Sequence, residues 1–149
     1  MEQLPYVILC MVAIMVRHSQ TLLSFLTGGA VVNYSFNYVL KYLLRHPRPH
    51  GAKLSNYTGA HQFGMPSGHA QTAMYATAFA WTVGVSPKMV GVFAFLSYLS
   101  MAQRYISFHH SGLQILVGAI VGSGLGVLIA TSSKVYLENK QTNKQTNKR

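Results

Sequence analysis

The chain contains no aspartate and only two glutamates, Glu2 and Glu138, which lie near its two ends. This shortage excludes a mechanism with paired carboxylates as acid and base, and a magnesium site built from carboxylates. The single cysteine, Cys10, excludes an internal disulfide. Charged residues make up 9% of the sequence, against about 25% in a soluble domain, and half of the residues are apolar. The composition therefore favours a helical bundle that is embedded in a membrane.

Five apolar segments follow one another, and each is predicted to be a helix. The first, 4–16, is shorter than the roughly 20 residues of a full span, so we expect a short span or a half-inserted helix. A signal peptide is the alternative, although Glu2 precedes the segment and Arg17-His18 follows it. The second segment should end near Arg45, because Pro47 and Pro49 disfavour helix. The later segments are 21–42, 68–85, 89–101 and 112–130.

Two patterns predict contacts between these helices. Asn33 and Asn37 are four residues apart and share a helical face, which favours hydrogen bonds inside the bundle over a ligand role. The last span carries three glycines at intervals of four, and we expect close packing within one bundle more than a dimer surface. A homo-oligomer is left open. The glycines are Gly118, Gly122 and Gly126.

Residues 134–149 differ from the rest of the chain. The four residues 141–144, Gln-Thr-Asn-Lys, are repeated at 145–148, and the stretch is polar and basic. Low-complexity polar sequence of this kind is typically disordered. We therefore expect a membrane domain over residues 1–133 and a basic disordered tail over 134–149. No nucleic-acid partner is predicted; membrane lipids are the expected surroundings.

Three polar clusters lie between the apolar segments. The first runs from Lys41 to Pro49 and includes Arg48. The second is Pro66-Ser67-Gly68-His69. The third consists of Arg104, His110 and Gln114. Together they supply three cations, two histidines, one hydroxyl and an acceptor for a histidine N–H, which is a set of groups that can hold a phosphate and attack it.

The third cluster supplies a candidate nucleophile. A deprotonated imidazole nitrogen attacks phosphorus if the other nitrogen donates its proton to an acceptor. Gln114 lies four residues after His110, so its amide oxygen can accept the His110 Nδ1 proton, although a neutral amide stabilises an imidazolium less than a carboxylate does. His69 is the candidate general acid for the leaving oxygen. His109 is the alternative nucleophile, and only the spacing to Gln114 selects His110.

The remaining polar residues are candidate phosphate ligands. Ser67 and Gly68 lie where a loop becomes a helix, and the backbone N–H groups at a helix N-terminus bind anions. Lys41, Arg48 and Arg104 add positive charge from two other segments. Taken singly, Lys41 and Arg48 could instead be interfacial cations that extend to the membrane surface. We predict no metal site among the seven histidines.

Five spans would put both loops that carry the clusters on one side of the membrane. Most other cations, including Arg17, Lys88 and those of the tail, would then lie on the opposite side, which the positive-inside rule makes cytoplasmic. The clusters are thus predicted to face the lumen or the extracytoplasmic side, with the endoplasmic reticulum as one candidate membrane. The sequon Asn56-Tyr57-Thr58 on that side is compatible with this orientation.

The three clusters, read as Lys41-x6-Arg48-Pro49, Pro66-Ser67-Gly68-His69 and Arg104-x5-His110-x3-Gln114, resemble the signature of the type 2 phosphatidic acid phosphatase superfamily. The resemblance covers about half the chain and implies an all-α, polytopic transmembrane bundle. It also implies that His110 is the nucleophile, that His69 is the general acid and that the phosphoryl group is bound without a cofactor. The implied phosphate ligands are Lys41, Arg48, Ser67, Gly68 and Arg104.

Two features depart from the family pattern. The third motif usually begins Ser-Arg and ends in Asp, whereas here it begins Gln103-Arg104 and ends in Gln114. Glutamine at this position is familiar in the dolichyl diphosphatase and glucose-6-phosphatase branches. The sequence context 63–71 is similar to the dolichyl diphosphatase form. Many membrane members have six spans, whereas this chain offers at most five.

The resemblance implies hydrolysis of a polyprenyl (dolichyl-type) diphosphate, with phosphatidate or another lipid phosphate as second choice and a sugar phosphate as third. A catalytically silent lipid-binding or interaction module of the same fold is the rival hypothesis.

Overall fold

A computed structural model describes residues 3–50, 52 and 58–147 of the protein. Within these residues the chain forms five α-helices and no strand, which confirms the predicted all-α bundle of five helices. Asn56 of the sequon lies outside the described residues. The helices are α1 (Leu4–Val16), α2 (Gln20–Leu44), α3 (Gly68–Thr82), α4 (Pro87–Ile106) and α5 (Gly112–Thr146).

Local sequence signals determine where the helices begin and end. The Ser19 hydroxyl caps α2 by accepting a hydrogen bond from the Leu22 N–H at 3.3 Å. The same helix ends at Leu44, and the capping residue Arg45, two residues before Pro47, has a left-handed φ of 45°. Pro87 starts α4 in the first turn, where its missing N–H costs nothing. The predicted helix boundaries therefore agree with the structure to within a few residues, except at the end of α5.

Helix α3 lies at the centre of the bundle and packs against each of the other four helices. Half of its buried side chains are alanines, which let the neighbouring helices approach closely. The two large buried rings of α3, Tyr75 and Phe79, pack against each other with their centroids 6.3 Å apart. The N-terminus of α3 carries the Pro66-Ser67-Gly68-His69 cluster, so the position of this central helix fixes the position of the cluster.

The three spaced glycines of α5 face α3. A Cβ on Gly118 would lie 2.5 Å from the Ser67 carbonyl oxygen, and one on Gly126 would lie 2.5 Å from the Tyr75 carbonyl oxygen. A Cβ on Gly122 would collide with the Gln71 backbone. The backbones of α3 and α5 are thus in direct contact, and the predicted packing within one bundle is confirmed.

The outer surface of the bundle is apolar. Leu43 is 72% exposed and Val31 is 66% exposed on α2, and Phe95 on α4 is 59% exposed. Exposed apolar surface of this extent is typical of proteins that meet a membrane or a partner. Among the described helices, only Gly112–Thr146 is both long and apolar enough to cross a membrane, and Leu4–Val16 is apolar but shorter.

Helix α5 continues to Thr146, whereas the sequence predicts a disordered tail from residue 134. The prediction followed composition, but no glycine or proline occurs after Gly126 to interrupt the helix. Lysine, glutamine and glutamate are good helix formers. The described part of the tail is therefore a helical extension of α5, and its side chains are largely exposed.

Candidate active site

The three polar clusters meet at one cavity of about 110 Å³. The loop after α2, the N-terminus of α3 and the loop between α4 and α5 all contribute to its wall. The predicted site residues that line the cavity are Lys41, Arg48, Gly68, His69, Arg104 and His110. Five further residues line it that sequence reasoning did not assign to the site: Tyr6, Tyr34, Asn37, His61 and Thr72.

His110 lies at the cavity wall with its Nδ1 3.3 Å from the Gln114 Oε1. The same Oε1 accepts a hydrogen bond from the Ser111 N–H at 3.1 Å, and the Gln114 Nε2 donates to the Pro47 carbonyl at 2.6 Å. These two backbone partners fix which end of the amide faces His110. The oxygen faces Nδ1, so this nitrogen carries the proton and Nε2 keeps its lone pair.

The Gln114 amide also joins the loop of the third cluster to the loop of the first. Its Nε2 lies 2.9 Å from the His46 Nδ1. Gly64 donates its backbone N–H to the His46 carbonyl at 2.8 Å, and a Cβ on Gly64 would lie 2.5 Å from the Gln114 Cδ. Sequence reasoning missed His46 and Gly64, since neither has a regular spacing to Gln114.

The surroundings of His110 keep its imidazole neutral. Burial, followed by the charges of Arg48 and Lys41, lowers the pKa of His110 to about 2, and hydrogen bonds to Gln114 and Gly64 oppose this shift. A neutral ring is the form that can attack phosphorus. His109, the alternative nucleophile, is not part of the cavity lining, and its carbonyl accepts a hydrogen bond from the Arg48 Nη1 at 2.6 Å.

His69 lies in the first turn of α3 and lines the cavity. The Arg104 Nη2 donates a short hydrogen bond to the His69 Nε2. Arg104 is buried in the last turn of α4, so this contact ties the second cluster to the third. The predicted general acid and a predicted phosphate ligand are therefore direct neighbours.

Ser67 differs from the other predicted ligands because it does not line the cavity. The residue is fully buried, and its backbone N–H donates to the Gln114 carbonyl at 3.0 Å. Its Oγ has no hydrogen-bond partner among the described residues. The Ser67 N–H is therefore already paired, and its hydroxyl is the group left for the predicted phosphate contact.

Backbone carbonyl groups hold the two cations of the first cluster. Lys41 is buried and its Nζ donates to the Phe63 carbonyl at 2.9 Å. The Arg48 Nε and Nη2 donate to the His61 carbonyl at 3.2 and 2.8 Å. The Arg48 Nη1 lies 3.4 Å from the His110 Nε2, which directs the guanidinium toward the unprotonated nitrogen.

A buried amide network lies beside the cavity. The Asn37 Nδ2 donates to the Gln71 Oε1 at 2.8 Å and to the Pro66 carbonyl at 3.3 Å. The Gln71 Nε2 donates to the Asn33 Oδ1 at 3.0 Å. The predicted interhelical hydrogen bonds of Asn33 and Asn37 are thus confirmed, and Asn37 additionally reaches the cavity.

No group of three or more histidine, cysteine, aspartate or glutamate side chains that could hold a metal ion occurs in the part of the chain that the structure describes.

Comparison with known proteins gives one family and several relatives. The sequence profile of the PAP2 superfamily matches residues 19–136, which confirms the resemblance of the three motifs. The Schizosaccharomyces pombe protein "palmitoyl-protein thioesterase-dolichyl pyrophosphate phosphatase fusion 1" is 31% identical over 122 residues, which are 74% of this chain and 18% of that protein. The Saccharomyces cerevisiae "dolichyldiphosphatase" is 30% identical over 112 residues, 67% of this chain and 47% of that protein.

A plant relative has a different named activity. The "lipid phosphate phosphatase epsilon 1, chloroplastic" of Arabidopsis thaliana is 34% identical over 103 residues, 64% of this chain and 35% of that protein. The chain therefore spans less than half the length of each of these three relatives. No solved structure matches the chain.

Proposed function

The chain belongs to the PAP2 superfamily, and from that premise we propose that it is an integral-membrane phosphatase acting on a lipid-linked phosphate or diphosphate. One observation carries the proposal. The His110 ring, neutral and oriented by Gln114, lines a cavity together with Lys41, Arg48 and Arg104. A nucleophile whose unprotonated nitrogen lies beside cations is suited to attack on a phosphoryl group.

The first chemical step transfers the phosphoryl group to the protein. The His110 Nε2 attacks phosphorus, a P–N bond forms, and the bond from phosphorus to the leaving oxygen breaks. His69 gives its proton to that oxygen, so the lipid leaves as an alcohol or, from a diphosphate, as a monophosphate. Arg48, at 3.4 Å from the attacking nitrogen, stabilises the charge on the equatorial phosphoryl oxygens.

The second step returns the protein to its starting state. His69, now unprotonated, takes a proton from water, and the water oxygen attacks the phosphorus of phosphohistidine 110. The P–N bond breaks and inorganic phosphate leaves. Neither step needs a metal ion, because the cations of the three clusters supply the positive charge that a metal would otherwise provide.

A polyprenyl (dolichyl-type) diphosphate is the proposed substrate. Two of the three relatives described above carry a dolichyl diphosphatase name, and Gln114 fits that branch. Phosphatidate or another lipid phosphate is the second candidate, which the plant relative favours. The apolar outer faces of α2 and α4 favour a multi-pass bundle. The positive-inside rule then favours a site on the lumenal or extracytoplasmic side, with the basic end of α5 in the cytoplasm.

The proposal is tested by phosphate release from purified protein in detergent with EDTA present. The substrates are an isoprenoid diphosphate, an isoprenoid monophosphate, phosphatidate and a sugar phosphate. We expect wild type to hydrolyse the isoprenoid diphosphate best, and His110→Ala to be slower by a factor on the order of 10³ or more. His109→Ala is the matched control and should keep most of the activity.

Two outcomes would contradict the proposal. A wild-type protein no faster than His110→Ala on all four substrates would favour the silent lipid-binding module. Full activity in His110→Ala with loss in His109→Ala would instead assign the nucleophile to the neighbouring histidine.

A further inference from the structure

One short segment, residues 59–63, determines where two of the cavity's cations point. Its Phe63 carbonyl accepts the hydrogen bond of the Lys41 Nζ, and its His61 carbonyl accepts two from Arg48. A neutral carbonyl positions a cation without cancelling its charge. Any shift of this segment therefore moves both charges that a phosphoryl group in the cavity would meet.

The 59–63 segment has little structure of its own. It consists of a single 3₁₀ turn, Gly59–Gln62, followed by Phe63. Its local backbone hydrogen bonds run from the His61 N–H to the carbonyl of the preceding Thr58 at 3.2 Å and from the Phe63 N–H to the Ala60 carbonyl at 3.1 Å. A single 3₁₀ turn has poor hydrogen-bond geometry and is not stable alone. Contacts with another element must fix its position.

Three tyrosines of α2 supply these contacts. Tyr34, Tyr38 and Tyr42 are spaced by four residues and share one face of the helix. The Tyr38 ring packs edge-to-face on His61 with a centroid distance of 6.0 Å, and the Tyr42 ring packs on Phe63 at 6.3 Å. Tyr38 and Tyr42 also contact each other at 5.2 Å. These are the distances and orientations at which aromatic pairs stabilise.

Tyr34 extends the same row to the cavity. Its hydroxyl lies 3.5 Å from the His61 Nε2, and both residues line the cavity. Burial, then the charges of Lys41 and Arg48, lowers the pKa of His61, which keeps this ring neutral and able to pack among the tyrosines.

We propose that Tyr34, Tyr38 and Tyr42, here called the tyrosine ladder, are positioning residues of the phosphate site. They hold the 59–63 segment, and that segment's carbonyls hold Lys41 and Arg48 in the orientation that binds the phosphoryl group. Contact with the bundle interior and contact with the 59–63 segment thus use adjacent faces of α2. The buried residues each precede one of the three tyrosines and are Asn33, Asn37 and Lys41. The inference deepens the proposed function and rests on it for the identity of the anion.

The test measures binding of inorganic phosphate to the purified full chain by calorimetry, which needs no turnover. Tyr38→Ala removes the ring contacts with both His61 and Tyr42. Because each aromatic pair contributes about two- to tenfold to an equilibrium, we expect phosphate affinity to fall roughly tenfold. Tyr38→Phe keeps the ring and should bind within about twofold of wild type. With a lipid substrate, KM should rise by the same factor and kcat should fall as well, because Arg48 lies 3.4 Å from the His110 Nε2.

Matched variants separate positioning from general damage. Tyr98→Ala removes a 63% exposed tyrosine from α4 and should bind phosphate as wild type does, whereas Lys41→Met should lose binding. If Tyr38→Ala does not fold, Tyr42→Ala carries the test through its contact with Phe63. Wild-type affinity in Tyr38→Ala or in Tyr42→Ala, with loss in Lys41→Met, overturns the inference. A wild type that binds phosphate but releases none from any lipid contradicts only the proposed function. The phosphate affinities of wild type and variants can still be compared in that case, so the inference about the tyrosines is tested separately.

Discussion

Replacing Gln114 with glutamate should weaken the fold and move the pH profile, although a carboxylate is the usual partner of a catalytic histidine. The side chains have the same shape, so the change replaces the N–H donors with an oxygen and adds a negative charge. Gln114 is fully buried, and its Nε2 donates to the Pro47 carbonyl at 2.6 Å. A glutamate oxygen there would face another oxygen and leave that carbonyl unpaired, which costs about 1–3 kcal/mol. For a chain of this size we expect the melting temperature to fall by roughly 2–12 °C.

The same substitution should raise the pKa of His110. In wild type that pKa is about 2, so the ring is neutral and reactive throughout the practical pH range. An adjacent carboxylate favours the imidazolium and raises such a pKa by about 1–3 units. The protonated ring cannot attack, so the rate of Gln114→Glu should fall as pH drops through roughly 5 to 3, where wild type shows no such decline from this group.

The assay pairs a pH–rate profile with a thermal melt of each protein in detergent. Gln20→Glu is the matched control, because it makes the same chemical change at an exposed position in the first turn of α2. We expect the control to melt and to titrate as wild type does. If Gln114→Glu also matches wild type in both measurements, the assignment of the amide's two ends is refuted.

Two further predictions concern stability. Gly122→Ala should destabilise the fold by about 1–3 kcal/mol, because its Cβ would meet the Gln71 backbone; Gly124→Ala, with nothing within 4 Å of its Cβ, should be neutral or stabilising. Equal melting temperatures for the two variants would contradict the close contact of α3 and α5. Stability should also fall as pH drops below about 6.5, because the unfolded chain then protonates His110 while the folded chain, with a pKa of about 2, does not. The free energy of unfolding should then fall by up to about 1.4 kcal/mol per pH unit. If a His110→Gln variant loses as much stability as wild type between pH 7 and pH 5, this histidine is not the cause.

The parts of the fold that depend on neighbours in sequence were predictable. Pro47 and Pro87 mark a helix end and a helix start, and Ser111 with Gln114 forms a capping box at the start of α5. The spacing of His110 and Gln114 also predicted their contact. The expected shared helical face was wrong, because α5 begins at Gly112 and His110 lies in the loop before it.

The parts of the site that depend on contacts between loops were not predictable. His46 and Gly64 meet Gln114 from two other loops, and nothing in their spacing indicates this. The row Tyr34, Tyr38 and Tyr42 is visible in the sequence, yet a row of aromatic residues on a membrane helix equally suits contact with lipid. Only the position of the 59–63 segment distinguishes the two.

The length of α5 has a consequence for where the reaction products go. The helix has 35 residues, about 52 Å at 1.5 Å per residue, against a hydrocarbon core of about 30 Å, and it begins two residues after His110. In the proposed orientation the start of α5 lies beside the nucleophile, and its other end extends roughly 20 Å beyond the opposite boundary of the hydrocarbon core. Each turnover would therefore release its inorganic phosphate into the lumenal or extracytoplasmic compartment. A separate transport step would have to return that phosphate to the cytoplasm.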